Sequence, residues 1–139
     1  MKGMCLKKLN KFEDAKQEFN RSLHLNSSFV ESYFQLALIY EDLNELEKAN
    51  NCLDNYIHFN QSNAEVYFRK GVNLCELGCT LEAQQNLQKA VELSPFHYDA
   101  MFYLGYLLFK TYSYKQALKN FVEALRLEPD YIGIIFIVC

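Results

Sequence analysis

An all-α fold built from repeated helix pairs is what this sequence of 139 residues predicts. The first observation is a period. Pro95 and Pro129 stand 34 residues apart, and each closes the same phrase, Ala-Val-Glu-Leu-Ser-Pro at 90–95 and Ala-Leu-Arg-Leu-Glu-Pro at 124–129. The second is that sliding the chain by the same 34 residues stacks like on like. Ala15, Ala49, Ala83 and Ala117 fall in one column, and the small residues Gly3, Ala37, Gly71 and Gly105 in another. Phe19, Leu53, Leu87 and Phe121 form a large apolar column, and Leu25, Phe59, Leu93 and Leu127 a second. A fixed period of this length is the mark of stacked supersecondary units. The third is composition: 20 Leu with only 2 Pro and 5 Gly favours helix and leaves too little turn punctuation for an all-β chain.

The register accounts for the whole chain without insertion or deletion. Residues 1–29 form a truncated unit, 30–63, 64–97 and 98–131 are full units of 34, and 132–139 remain. The unit at 30–63 carries Tyr33, Leu36-Ala37, Tyr40 and Ala49. In the unit at 64–97, Val66, Tyr67, Lys70, Gly71 and Leu74 recur at helical spacing and define a first helix. Leu77-Gly78-Cys79 interrupts it, with Gly suited to a helix C-terminus. Ala83, Leu87, Ala90, Val91 and Leu93 define a second helix, which Ser94-Pro95 ends because Pro lacks an amide and disfavours helix at the residue before it. The unit at 98–131 repeats the scheme with Met101, Leu104-Gly105, Ala117, Phe121, Ala124 and Pro129. Each unit thus reads as an antiparallel helical hairpin, which cannot bury its apolar faces alone and must stack on its neighbours.

The small columns have a packing reason. Gly71 is expected to face Ala83 where the two helices of a hairpin cross closely. Ala90 and Ala124 are expected to let the next hairpin dock. The pattern of aromatic, Leu-Gly, Tyr, Ala, Phe and Pro over 34 residues resembles the tetratricopeptide repeat. The resemblance covers residues 1–131 as the array, with 132–139 as an interrupted fifth repeat. It implies a right-handed superhelical solenoid of antiparallel helix pairs with a concave inner surface. Three positions depart from the family pattern: Tyr56 where a small residue is usual, Gln61 where Pro is usual, and Tyr112 in the turn. The first unit begins in the middle of its first helix, so the array reads as a piece of a longer one.

Composition narrows the function. A net charge of −3 and a pI near 5.6 argue against a nucleic-acid binder and against a polybasic membrane anchor. The longest apolar runs, Met101 to Phe109 and Ile132 to Cys139, are far shorter than the ~20 residues a membrane span needs. The amino terminus carries no apolar stretch of the secretory kind, so the 5 Cys read as reduced thiols of a cytoplasmic protein. No glycine-rich phosphate loop, nucleophile elbow or metalloprotease helix is present. The three His read as surface structural residues: His24 and His58 share a column near a helix C-terminus, and His97 falls in an inter-unit turn. Cys75 and Cys79 lack the two further ligands that zinc requires and read as small buried or half-buried thiols. No catalytic residue, metal or cofactor is therefore expected.

What remains is a binding surface. Second helices carry neutral polar runs, including Asn50-Asn51 and Gln84-Gln85-Asn86, and read as an outer wet face. On the first helices, the positions that resemble the family's concave surface hold Phe34, Gln35 and Leu38, then Phe68, Arg69 and Val72, then Phe102, Tyr103 and Tyr106. The three Phe are spaced by 34 and are expected to form a ladder that Phe136 continues by number. Such positions serve equally as a peptide groove and as inter-repeat core. The resemblance implies a non-catalytic adaptor that binds a protein or peptide segment. Arrays that clamp the acidic tails of heat-shock chaperones carry Lys, Asn, Asn, Lys and Arg; the second to fifth positions here are Met4, Gln35, Glu65 and Arg69, of which only Arg69 matches. Two rivals stay open: a fragment of a larger enzyme or assembly whose array recruits substrates, and a structural subunit that self-associates through its repeat ends or its tail. That tail, Ile132 to Cys139, is uncharged and rich in β-branched residues, so it packs on the last unit, pairs with another chain or leaves the protein sticky.

Overall fold

The computed structural model describes residues 13–18, 21 and 30–130. Six complete helices follow one another in that range, with no strand among the described residues: α1 (Val30–Asp42), α2 (Leu46–Phe59), α3 (Ala64–Glu76), α4 (Thr80–Leu93), α5 (Tyr98–Lys110) and α6 (Tyr114–Leu127). Helices of 13 and 14 residues alternate, and every boundary recurs after 34. None is long and apolar enough to cross a membrane, among the described residues.

The chain divides into two compact units, Met1–Gln61 and Ser62–Cys139. In the first, α1 packs on α2 around buried Leu36, Ala37, Ile39, Ala49, Leu53 and Tyr56. The ring of Tyr40 receives two ammonium groups, Lys16 at 5.4 Å and Lys48 at 5.9 Å from its centroid. In the second unit, α3 packs on α4, α4 on α5 and α5 on α6. One apolar cluster runs through these four helices, with Leu74, Ala83, Leu87, Met101, Leu104, Leu108, Ala117 and Phe121 among its buried members.

Close approach explains the small columns. A Cβ added to Gly71 would stand 2.7 Å from Cγ of Leu87 and 3.4 Å from the Ala83 carbonyl oxygen. One added to Gly105 would stand 2.9 Å from the Phe121 ring and 3.3 Å from the Ala117 oxygen. Gly71 therefore faces Ala83 as the spacing predicts, and the large residue four positions on, Leu87 or Phe121, fills the space that glycine leaves.

The turns also obey the period. The backbone enters the left-handed region at Asn44 (φ 59°), Gly78 (φ 82°) and Tyr112 (φ 64°). At each turn the amide three residues past the helix reaches back five residues, as Ser113 N–H does to the Leu108 carbonyl at 2.8 Å, and the left-handed residue reaches back three, as Tyr112 does to Phe109 at 3.1 Å. This is a Schellman closure, which satisfies carbonyls that a helix end leaves open. Tyr112 thus leaves the spacing intact, at the conformational cost of a side chain where Gly or Asn is suited.

The other departures are absorbed as well. α2 ends at Phe59 with Asn60 extended (φ −142°), just as Ser94 (φ −136°) and Glu128 (φ −140°) end α4 and α6, so Gln61 does the work of a proline without its ring. Tyr56 is buried, and its ring meets that of Phe34 at 5.9 Å. The expectation for the second helices needs one correction: Asn50 is buried, not part of a wet face. Cys79 likewise proves exposed rather than buried or half-buried, because it sits in the turn before α4.

Candidate functional site

In the second unit, Glu65, Phe68, Arg69 and Val72 lie along one face of α3 at spacings of three and four, and Asp99, Phe102, Tyr103 and Tyr106 lie along the matching face of α5. The ring of Tyr103 stands between the two phenylalanines, 5.7 Å from Phe68 and 5.5 Å from Phe102, edge-on to both. Edge-to-face contact is the geometry that ring quadrupoles favour. Phe68 also lies 4.6 Å from the His97 ring, and Phe102 lies 6.1 Å from Phe121. All three central rings are half-buried and rest against the apolar core. Their inner edges are core and their outer edges are surface.

Charge is arranged around these rings. Arg69 Nε lies 3.2 Å from one oxygen of Glu65, and His97 Nε2 lies 3.2 Å from the other. His97 departs from the expected surface role. Its side chain is mostly covered, and its Nδ1 accepts the Ala100 amide at 3.2 Å as the cap of α5. The two contacts together place the proton of the neutral ring on Nε2, where it donates to Glu65. The Glu65 hydrogen bond raises the His97 pKa, and the same bond holds the Glu65 carboxyl below its ordinary range. With one nitrogen on a backbone amide and the other on a carboxylate, the imidazole has no nitrogen left for a substrate. The sequence did carry a signal for this role: Asn63, one period earlier, caps α3 by accepting the Glu65 amide at 3.1 Å. At the far end of the face, the Lys110 ammonium lies 4.7 Å from the Tyr106 ring centroid.

In the first unit, Phe34 is turned against Tyr56, and Gln35 Nε2 donates to Glu31 at 3.3 Å, with Leu38 half-buried on the same helix. The expected ladder is therefore seen as a pair, Phe68 and Phe102 joined by Tyr103, in one unit; Phe34 belongs to the other unit, and Phe136 lies outside the described residues, as does His24. Burial pushes the thiols of Cys52 and Cys75 up to about 11. Half-burial also raises the Tyr103 phenol.

Comparison with known proteins agrees with this architecture. The tetratricopeptide repeat family matches residues 68–132 in one of its forms and residues 1–29 and 30–63 in another. Among solved structures, the chain is similar to MamA, with a TM-score of 0.85 at 20% identity over 92% of this chain and 75% of that one. It is similar to the repeat domain of OM64 from Arabidopsis (TM-score 0.73, 25% identity, 77% of this chain and 88% of that one). It is also similar to the first repeat domain of Spaghetti (RPAP3), solved with the HSP90 peptide SRMEEVD (TM-score 0.73, 17% identity, 76% of this chain and 84% of that one). A search of curated proteins returns no match. With its 34-residue helix pairs, its small columns at each crossing and family matches along nearly its whole length, the chain belongs to the tetratricopeptide repeat family.

Proposed function

We propose that this chain is a non-catalytic interaction module that takes a peptide segment of a partner protein against the first-helix face, with Phe68, Arg69, Val72, Phe102, Tyr103 and Tyr106 as its contact residues in the second unit and Phe34, Gln35 and Leu38 in the first. The observation that carries the reading is the row of half-buried rings, Phe68, Tyr103 and Phe102, which offers apolar edges without further loss of side-chain freedom. Rings already held by neighbours lose little entropy when a ligand lands on them. Membership of a repeat family built for protein contact supports it. The partner class is an apolar or helical segment rather than an acidic chaperone tail, because Glu65 stands where such a clamp requires a cation and already engages Arg69. The array frames at 30–63, 64–97 and 98–131, and the tail as an interrupted repeat, belong to the same proposal.

The test is affinity capture with the intact chain and two variants. Phe68→Ala removes a ring that also serves the core, and Tyr106→Ala removes one that touches Lys110 at the surface. Each is expected to weaken a bound partner by roughly 1–3 kcal/mol if it is a hot spot. Unchanged capture by both variants, with helicity intact by circular dichroism, refutes the groove.

A further inference from the structure

We propose that the crevice between α4 and α6 is a second binding site, distinct from the first-helix face. Its ligand is an extended, uncharged peptide segment of a partner protein that buries one aliphatic side chain. α4 and α6 both pack on α5, and the space left between them measures about 420 Å³. One wall is Gln84, Gln88 and Val91 of α4, at i, i+4 and i+7. The other is Gln116, Asn120 and Glu123 of α6, at the same spacing. Met101 and Leu108 of α5, also seven residues apart, reach the floor. This shared spacing, close to two helical turns, makes a trough about 10 Å long. All three helices lie within one compact unit.

The walls carry amide chemistry. Among the described residues the carboxamides of Gln84 and Gln116 make no hydrogen bond. Asn120 donates through Nδ2 to the Gln116 backbone carbonyl at 2.9 Å, which leaves its Oδ1 to accept. Gln88 donates to Glu92 at 3.5 Å and keeps its own Oε1. Each carboxamide offers the donor and the acceptor of a peptide bond. Beneath them, half-buried Val91 and buried Met101 and Leu108 are hydrocarbon or thioether. A ligand here meets hydrogen-bonding groups at its sides and an apolar floor below.

That lining decides the occupant. No aromatic ring lines the crevice, so a nucleobase has nothing to stack on. Lys119 is the only cation in the lining and stands one turn before the Glu123 carboxylate, so a phosphate finds no cluster of donors. A helix is about 10–12 Å across and satisfies its own amides, which would leave the carboxamide walls unused. Extended main chain presents N–H and C=O groups to both sides and, at about 3.3 Å per residue, sets three residues along the trough. The volume lies near the low end of the ~300–1,000 Å³ range of ligand pockets, which suits so short a segment.

The probe is a panel of capped peptides, acetyl-Ala-Ala-X-Ala-Ala-amide, titrated by NMR into the full chain carrying labelled methionine methyls. Met101, on the floor, reports entry. Saturable shifts of its methyl are expected where X is Leu, Ile or Met, and none where X is Asp or Lys. N-methylation of the amides flanking X removes backbone donors and is expected to weaken binding at least about tenfold, as is the Gln84→Ala/Gln116→Ala pair. Both glutamines are exposed or half-buried and alanine favours helix, so circular dichroism of the pair is expected to match the wild type. Phe68→Ala leaves the titrations unchanged, so the first-helix groove and the crevice stand or fall separately. The proposal is overturned by no saturable shift with any peptide, by equal binding where X is charged, or by equal binding of the N-methylated peptides. It is equally overturned if the glutamine pair binds like the wild type, or if Phe68→Ala abolishes the Met101 shift. Binding seen only after deletion of 132–139 would assign the crevice to the chain's own tail and overturn it as well.

Discussion

Tyr112→Gly is expected to stabilise the protein although it deletes an aromatic side chain. Tyr112 holds φ at 64° with 79% of its surface exposed. An L-residue in the left-handed region carries about 1–2 kcal/mol of steric cost that glycine escapes. Against this stand the greater freedom of glycine in the unfolded chain, about 0.5–1 kcal/mol, and the loss of an exposed edge contact with Tyr114 at 6.2 Å, worth a few tenths of a kcal/mol at such exposure. The net gain is about 0.5 kcal/mol, a rise of roughly 1–3 °C in Tm. Tyr112→Asn copies Asn44 and is expected to gain without the extra chain entropy. Tyr112→Ala keeps a Cβ at positive φ and is expected to gain nothing. The converse is Gly78→Ala, expected to lose about 1 kcal/mol through conformation alone, because no atom stands within 4 Å of the added Cβ. Urea unfolding followed by circular dichroism gives the order. If Tyr112→Gly and Tyr112→Ala are indistinguishable, or Gly78→Ala costs nothing, the left-handed turn is not where the strain lies.

Three further outcomes follow from the core and the titrating groups. Gly71→Ala is expected to destabilise by about 1 kcal/mol through overpacking against Leu87 at 2.7 Å, but to stabilise a Leu87→Ala background, where the methyl enters the cavity that costs roughly 2–5 kcal/mol; a thermal double-mutant cycle with the same sign in both backgrounds refutes the contact. Iodoacetamide at pH about 7.5 is expected to label exposed Cys79 while sparing Cys52 and Cys75, whose thiols are pushed up to about 11 and hold well under ~0.1% thiolate; peptide mass mapping reads the order. The His97 pKa is raised, so its link to Glu65 stabilises below the ordinary imidazole value of 6.5 and is lost as pH rises through the raised value; the Glu65 pKa is lowered, so that link is lost as pH falls below the ordinary carboxyl value of 4.5. The stability advantage of the wild type over His97→Asn, which keeps a capping side chain, is therefore expected to be largest between those two values and to shrink both below 4.5 and as pH rises through the raised His97 value, read from urea midpoints at several pH values.

The fold was legible because packing repeats and sequence follows packing. Gly71 and Gly105 could be placed opposite Ala83 and Ala117 from spacing alone, since a helix crossing admits only small residues there whatever the unit does. Tyr112 was harder. A left-handed turn position is visible from Gly78 and Asn44 in its column, but the sequence does not say whether tyrosine will accept that conformation or shift the turn. His97 was misplaced for a related reason. Composition places a histidine beside Phe96 in a loop, whereas its role comes from a carboxylate 32 residues back that only stacking of α3 and α5 brings within 3.2 Å. Asn50 shows the opposite failure: its polar chemistry suggests a wet face, and tertiary packing buries it.

The columns also show how such a chain divides labour. Where a column keeps its chemistry through every unit, as in Ala49, Ala83 and Ala117, a common contact sets it and each position is buried. Where a column changes chemistry, its surroundings change as well, although the backbone place is the same. The column of Asn50, Gln84 and Leu118 is of that second kind: the boundaries of α2, α4 and α6 recur in register, yet the position is buried in α2, half-buried in α4 and exposed in α6, where Leu118 and Val122 both stay more than half exposed. Burial of apolar surface is worth about 25 cal/mol per Å² and is forgone as long as those side chains face water.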